Sequence, residues 1–132
     1  MDMAEIEIKP VGRVESPLTD RDDAPKQGNE GAPQAWIVFE SDLIDALQGI
    51  EPGDEILVLT WLDRGKRDVL QTRPRDDPDN PIQGVFNTRS PDRPNPIGLH
   101  PVTVLAIEGS RMLVNELEAL DGTPVIDVKP VI

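Results

Sequence analysis

The sequence contains no cysteine in 132 residues, which excludes disulfide frameworks, thiol nucleophiles and cysteine-zinc sites. It holds a single histidine, His100, so a histidine-rich metal site is ruled out and one imidazole remains for acid-base work. Placed between Leu99 and Pro101, that histidine reads first as a structural or solvated residue and second as a catalytic one. No Gly-x-Gly-x-x-Gly turn follows a strand, no phosphate-loop pattern occurs, and none of the few serines sits in a nucleophile elbow. Gly28 to Gly31, GNEG, is too short and acidic to cradle a phosphate. No apolar run approaches the length of a membrane span, and the opening MDMAEIEIKP lacks the basic and hydrophobic regions of a secretory signal. These absences lead us to expect a soluble cytoplasmic protein with no membrane partner. The length suffices for one domain, residues 1–132, with its own core.

Positive charge is also scarce. The formal net charge is -12, which argues against nonspecific nucleic-acid binding, since neutralised phosphates supply that affinity. The deficit is uneven. Residues 61–99 carry seven of the 13 basic side chains (Arg64, Lys66, Arg67, Arg73, Arg75, Arg89, Arg93) against six acids, leaving the rest of the chain at -13. An anionic ligand would be drawn to this middle third, unless it is simply a mixed-charge solvated surface.

The stretch Gly84 to Leu99, GVFNTRSPDRPNPIGL, is the one the chain is organised around. Val85-Phe86 reads as the end of a strand. Pro91, Pro94 and Pro96 then fix their own φ and push their predecessors toward extended backbone, which excludes a helix or a central strand. The loop is stiff by composition. An arginine held in place beforehand loses less entropy on binding, and its guanidinium matches a carboxylate or phosphate with a planar fork, so Arg89 and Arg93 are candidate anion contacts. The alternative is a proline-rich turn with solvated arginines.

In chain order, Ala4 to Ile8 alternates apolar and charged residues, the period of a half-buried strand, and Val11 to Val14 extends it past Pro10. Ser16 to Pro33 has no apolar period, and a connection that long is functional or mobile. Ala35 to Glu40 returns to strand character. Ser41 is a candidate N-cap for a helix facing inward with Leu43, Ile44 and Leu47 before Gly49. Ile56 to Leu62 is nearly continuous in apolar residues, suited to a strand buried on both faces, and Val69 to Arg73 reads as the strand returning from it. Arg73 to Pro81 is acidic, but its prolines break any calcium-ligand spacing, so it reads as solvated loop. Val102 to Ile107 and Met112 to Leu117 flank a hairpin turn, Glu108 to Arg111, and Asp121-Gly122 turns into a last strand, Pro124 to Val128. The turn DGTP is compact enough to bring backbone amides against a ligand. The fold class is mainly β: a barrel or closed sheet with one short helix and long loops.

The runs Gly84 to Leu99 and Asp121 to Pro130 (DGTPVIDVKP), preceded by Val11 to Pro17 (VGRVESP) and Pro25-Lys26-Gln27, resemble the TsaA-like, or TrmO-type, family of tRNA methyltransferases. The similarity spans most of the chain. It implies a single-sheet β-barrel that works as a homodimer and binds S-adenosylmethionine without a Rossmann fold. It further implies methylation of the exocyclic amine of threonylcarbamoyl-adenosine, on the three-prime side of the tRNA anticodon. Position by position, the resemblance places cofactor contacts at Pro25, Lys26, Gln27, Asp63, Arg64, Arg89, Leu99, Asp121, Gly122, Thr123 and Pro124. Around these we place Arg93, Asp127 and Lys129 as candidates for substrate contact and for pinning the last strand against the loop. In-line methyl transfer requires neither metal nor covalent nucleophile, and the catalytic residue is left unassigned.

The chain departs from the family pattern at particular residues. Glu15 stands where arginine is usual, Asp63-Arg64 where many relatives have His-Gln, and Val131 where an aromatic residue commonly follows Lys-Pro. The sequence stops at Ile132, without the carboxy-terminal domain that some members carry. These departures keep two other readings open: the same chemistry on a small molecule, and a noncatalytic module that binds S-adenosylmethionine or its demethylated product.

Overall fold

A computed structural model describes residues 4–132. Six strands close into an antiparallel barrel: β1 (Gly12–Glu15), β2 (Ala35–Phe39), β3 (Glu55–Trp61), β6 (Ile97–Glu108), β7 (Arg111–Val114) and β8 (Pro124–Pro130), in the order β1-β2-β7-β6-β3-β8. Pairing of β1 with β8, Gly12 opposite Val125, closes the sheet. Two further strands, β4 (Gln71–Thr72) and β5 (Gln83–Gly84), form a separate ribbon.

Alternation along each strand fills the interior. Val14, Ile37, Val58, Val104, Met112, Val114 and Val125 are fully buried, and Leu47, Leu117 and Ala119 pack onto the same cluster from the connections. Each such aliphatic side chain contributes about 1.5–3 kcal/mol relative to exposure, and a closed barrel leaves no free sheet edge. The barrel also explains β3. Ile56, Val58 and Thr60 point inward and are buried, whereas Leu57, Leu59 and Trp61 are only half-buried on its outside. The expectation of burial on both faces therefore fails: a closed sheet has one interior. What remains outside is an apolar stripe, with Leu57 opposite Pro101, Leu59 opposite Leu99 and Trp61 opposite Ile97.

Several other expectations shift for the same topological reason. Ala4 to Ile8 forms no strand, and Ile6 is 85 % exposed; β1 already has neighbours on both edges. Val69 to Arg73 does not return along β3, because β6 and β8 occupy both of its sides; only Gln71 and Thr72 pair, with β5. Ser41–Leu47 is a 3-10 helix rather than an α-helix. Its N-cap is Glu40, Ser41 lies inside it, and of the predicted apolar face only Leu47 is buried. Val85 to Asn87 is a 3-10 turn rather than a strand end, with Val85 buried and Phe86 84 % exposed. The hairpin between β6 and β7 turns at Gly109-Ser110 as expected, with Gly109 at φ 60°. β7 ends at Val114, before Glu116 takes a positive φ.

The strand directions segregate the connections. Residues 16–34, 62–96 and 115–123 all leave and re-enter the barrel at one end. The other end has only the links 40–54 and 109–110.

Candidate functional site

The end with the long connections gathers most of the predicted residues. Pro25, Lys26, Gln27, Asp63, Arg64, Arg89, Asp121, Gly122 and Thr123 lie in those connections, while Pro124 begins β8 and Leu99 lies near the start of β6. Side chains tie the connections together. Arg64 donates from Nη1 to the carbonyl of Thr19 (3.0 Å). Lys26 Nζ reaches Asp76 (3.4 Å), and the Arg75–Glu30 pair (2.6 Å) links the same two segments. The hydrogen bond from Arg75 holds the Glu30 carboxyl below its ordinary range, and the same bond raises Arg75.

Asp92 is the staple that sequence reading missed. Its Oδ2 accepts from Arg21 Nη2 (2.8 Å) and its Oδ1 from the backbone amide of Lys66 (2.9 Å), so one carboxylate joins all of the 16–34 loop, the turn after β3 and the proline loop. Burial pushes Asp92 upward, but those hydrogen bonds and the attraction of both cations outweigh it and leave its pKa below the usual value. The Asp92 hydrogen bond is the chief cause raising Arg21. Within the loop, Arg93 donates from Nη1 to the carbonyls of Thr88 (2.9 Å) and Ser90 (3.2 Å). Arg67 donates to Pro94 O (2.7 Å) and Asn95 Oδ1 (2.9 Å), its guanidinium carbon 5.2 Å from the Trp61 ring centre. Prolines thus set the backbone, and Arg67, Asp92 and Arg93 lock it. Arg89 is exposed and makes no hydrogen bond or ion pair among the described residues. Of the two arginines named from the sequence, Arg93 serves the loop itself and Arg89 faces outward uncommitted.

The DGTP turn differs from expectation in chemistry. The amides of Asp121 and Gly122 donate to the carbonyls of Leu18 and Val14 (both 2.7 Å), and that of Thr123 donates to Leu120 O (3.1 Å). Asp121 Oδ1 accepts from the amide of Ser16 (3.0 Å). The amides that were expected to meet a ligand are already engaged, and the turn is left with acceptors: Asp121 Oδ2 and the carbonyls of Asp121 and Gly122. Gly122 has φ 81°, a conformation that favours glycine.

Asp127 and Lys129 do not join this cluster. Their ion pair is mutual, Lys129 Nζ to Asp127 Oδ2 at 3.8 Å, and Asp127 Oδ1 accepts from the next amide. Lys129 lines a groove of about 690 Å³ with Gly49, Gly53 and Pro130, toward the opposite end of the barrel. Neither has a hydrogen bond or ion pair to the proline loop among the described residues, and both side chains are exposed on β8. At the site end, a groove of about 710 Å³ runs outside the Asp121-Gly122 turn, lined also by Arg13, Gln34, Trp36 and Leu113. The Arg111 guanidinium carbon stacks 3.8 Å from the Trp36 ring centre. Sequence reading assigned neither residue to the site. His100 is 3 % exposed, inside the barrel, with both ring nitrogens hydrogen-bonded. Burial therefore removes the solvated reading of His100 and leaves it an engaged interior residue.

A small closed barrel that gathers an uncommitted arginine and an acceptor-rich turn among the loops of one end has the form of a binding domain of non-Rossmann type. The chain belongs to the family described as the tRNA-methyltransferase O N-terminal domain, which matches residues 13–132. It is 44 % identical over 122 residues to an S-adenosyl-L-methionine-binding protein of Archaeoglobus fulgidus, covering 92 % of this chain and 86 % of that one. It is 45 % identical over 126 residues to a probable S-adenosyl-L-methionine-binding protein of Methanothermobacter thermautotrophicus, covering 96 % and 90 %. The fold superposes on the crystal structure of TrmO from Pseudomonas aeruginosa with a TM-score of 0.79 at 25 % identity. That match covers 99 % of this chain and 58 % of that one, so the chain spans little more than half the length of that solved protein.

Proposed function

We propose that the loop end of this barrel binds S-adenosylmethionine and delivers its methyl group to the exocyclic amine of threonylcarbamoyl-adenosine in tRNA. The observation that carries the reading is the pairing of unlike chemistry at that end. An uncommitted guanidinium, Arg89, suits a carboxylate, while the open acceptors of the Asp121 to Pro124 turn suit an ammonium or an adenine amine. A nucleoside bearing an amino acid presents both. Pro25, Lys26, Gln27, Asp63, Arg64 and Leu99 would complete the pocket, and the names of the relatives support this ligand.

When bound, the sulfonium cofactor supplies an activated methyl group for in-line displacement. The protein's part is positioning, which can supply a large share of such a barrier. The locked loop holds Arg89 at fixed reach, the turn orients the amine-bearing end, and Trp36 under Arg111 offers the groove a stacking face for an acceptor base. The exposed cations Arg64, Lys66 and Arg89 lower the cost of bringing a polyanion to an acidic protein. The outward stripe on β3 and β6 supports a homodimer, since a second copy would cover it.

Incubation with labelled S-adenosylmethionine and tRNA carrying threonylcarbamoyl-adenosine tests the reading: label should enter the tRNA. The net charge of -12 favours a small acceptor instead. Transfer only to a metabolite extract would establish that alternative, and tight binding without transfer would establish a noncatalytic module.

A further inference from the structure

One polar chain crosses the largely apolar barrel interior, and none of its members is among the cofactor contacts named above. Thr60 on β3 is fully buried, and its Oγ1 lies 2.7 Å from Nε2 of His100 on β6. Nδ1 of the same ring lies 2.6 Å from Oε1 of Glu118, in the connection 115–123. With the proton on Nδ1, the Glu118 carboxylate accepts from the ring and the Thr60 hydroxyl donates to Nε2, so every ring nitrogen has a partner. Strand pairing does not need this chain, because β3 and β6 already share seven register pairs.

The position of each member along the sequence shows what the chain joins. Thr60 precedes Asp63 by three residues, His100 follows Leu99, and Glu118 precedes Asp121 by three residues. The fourth candidate segment meets the same carboxylate. A methyl group on Gly28, the residue after Gln27, would lie 3.1 Å from Glu118 Oε2 and would collide with the carbonyl oxygen of Glu116. Glycine there lets the 16–34 loop press directly against Glu118. Gly98 makes room for the other end of the chain, since a methyl group on it would collide with the Thr60 hydroxyl and lie 2.6 Å from His100 Nε2.

We propose that Glu118, His100 and Thr60 are positioning residues: a hydrogen-bonded chain, buried at Thr60 and His100, that sets the spacing among four of the five segments of the cofactor pocket without touching the cofactor. The proposal rests on reading those segments as the S-adenosylmethionine site. Such a network is high in consequence because a missing partner leaves a buried polar group unpaired, and the neighbouring segments shift to relieve it.

The test titrates S-adenosylhomocysteine into the full chain by calorimetry and follows melting by circular dichroism. Thr60→Val keeps the side-chain shape and removes the hydroxyl, and Glu118→Leu removes the acceptor. Both should fold and bind at least about tenfold more weakly. Thr60→Ser and Glu118→Gln, which restore a hydroxyl and an acceptor oxygen, should return the affinity to within about threefold of the natural protein. Met112→Val, a core change beside the Gly109-Ser110 hairpin at the other end, should lower melting without changing affinity. Unaltered binding by folded Thr60→Val overturns the proposal, as does equal weakening by Met112→Val, which would make the effect one of stability. Absence of binding by the natural protein overturns the cofactor reading itself, so the two failures are distinguishable.

Discussion

Arg93 folds back onto its own loop, donating from Nη1 to the carbonyl of Thr88 at 2.9 Å, and so braces the residue immediately before Arg89. The two arginines therefore predict different phenotypes. Arg89→Ala removes only an outward charge and should weaken binding of S-adenosylhomocysteine by roughly 10- to 100-fold, the worth of a charge-assisted bond, with melting unchanged. Arg93→Ala removes the brace and should lower both affinity and stability, the latter by about 1 kcal/mol for partly buried bonds. Calorimetry and thermal melting read the two effects separately. A melting loss for Arg89→Ala, or none for Arg93→Ala, would reverse the assignment.

Asp92 carries a pH signature. Its carboxyl is held below the ordinary value in the folded state, so the folded form binds fewer protons than the unfolded chain through that interval. The stabilisation is present above the unfolded pKa of about 4 and is lost as pH falls through the lower folded value. Asp92→Asn cannot titrate there. At pH 7 it should be less stable than the natural protein by about 0.5–1 kcal/mol, a discounted figure because Arg21 is substantially exposed. The difference should shrink toward zero in acid. Urea melts at several pH values measure it, and a gap that does not change between pH 7 and pH 2.5 would exclude the staple as its source.

What could be read from the sequence depended on whether a residue's partners are local. The strand character of Ala35 to Glu40 and the hairpin turn within Glu108 to Arg111 are written in adjacent residues, and both were legible. Ala4 to Ile8 carries an equally good alternating pattern but finds no free strand edge, which only closure of the barrel decides. The site followed the same division. Proline chemistry announced a stiff loop, whereas Asp92 meets Arg21 across 71 residues and Glu118 meets His100 across 18, distances that no period or spacing encodes. Family resemblance named the candidate cofactor segments, but the engagement of the DGTP amides is a property of the folded turn.

Glycine substitutions separate close packing from turn requirements. Gly98→Ala would push a methyl group into the Thr60–His100 pair and should cost about 1–3 kcal/mol, typical of overpacking. Gly84→Ala meets nothing within 4 Å and keeps φ -63°, so it should stay within about 0.5 kcal/mol of the natural protein. Paired denaturant melts decide. Equal losses would mean that the interior around His100 is loose enough to accept a side chain.

The outward stripe on β3 and β6 makes the homodimer testable at one residue. Leu59 is half-buried outside the barrel, opposite Leu99 on one side and Asp127 on the other. Lysine at position 59 would place its charge beside Asp127, a cross-strand pairing that favours the sheet, so Leu59→Lys should fold. A second copy laid over Leu57, Leu59 and Leu99 would have to strip water from that ammonium, a desolvation cost that pairing with the neighbouring Asp127 offsets only in part. The natural protein should therefore sediment as a dimer and Leu59→Lys as a monomer with a native circular dichroism spectrum. If dimerisation completes the site, methyl transfer should fall with it and return at protein concentrations high enough to restore association. A natural protein that is fully active as a monomer, or a Leu59→Lys variant that remains dimeric, would place the interface elsewhere or remove it from the mechanism.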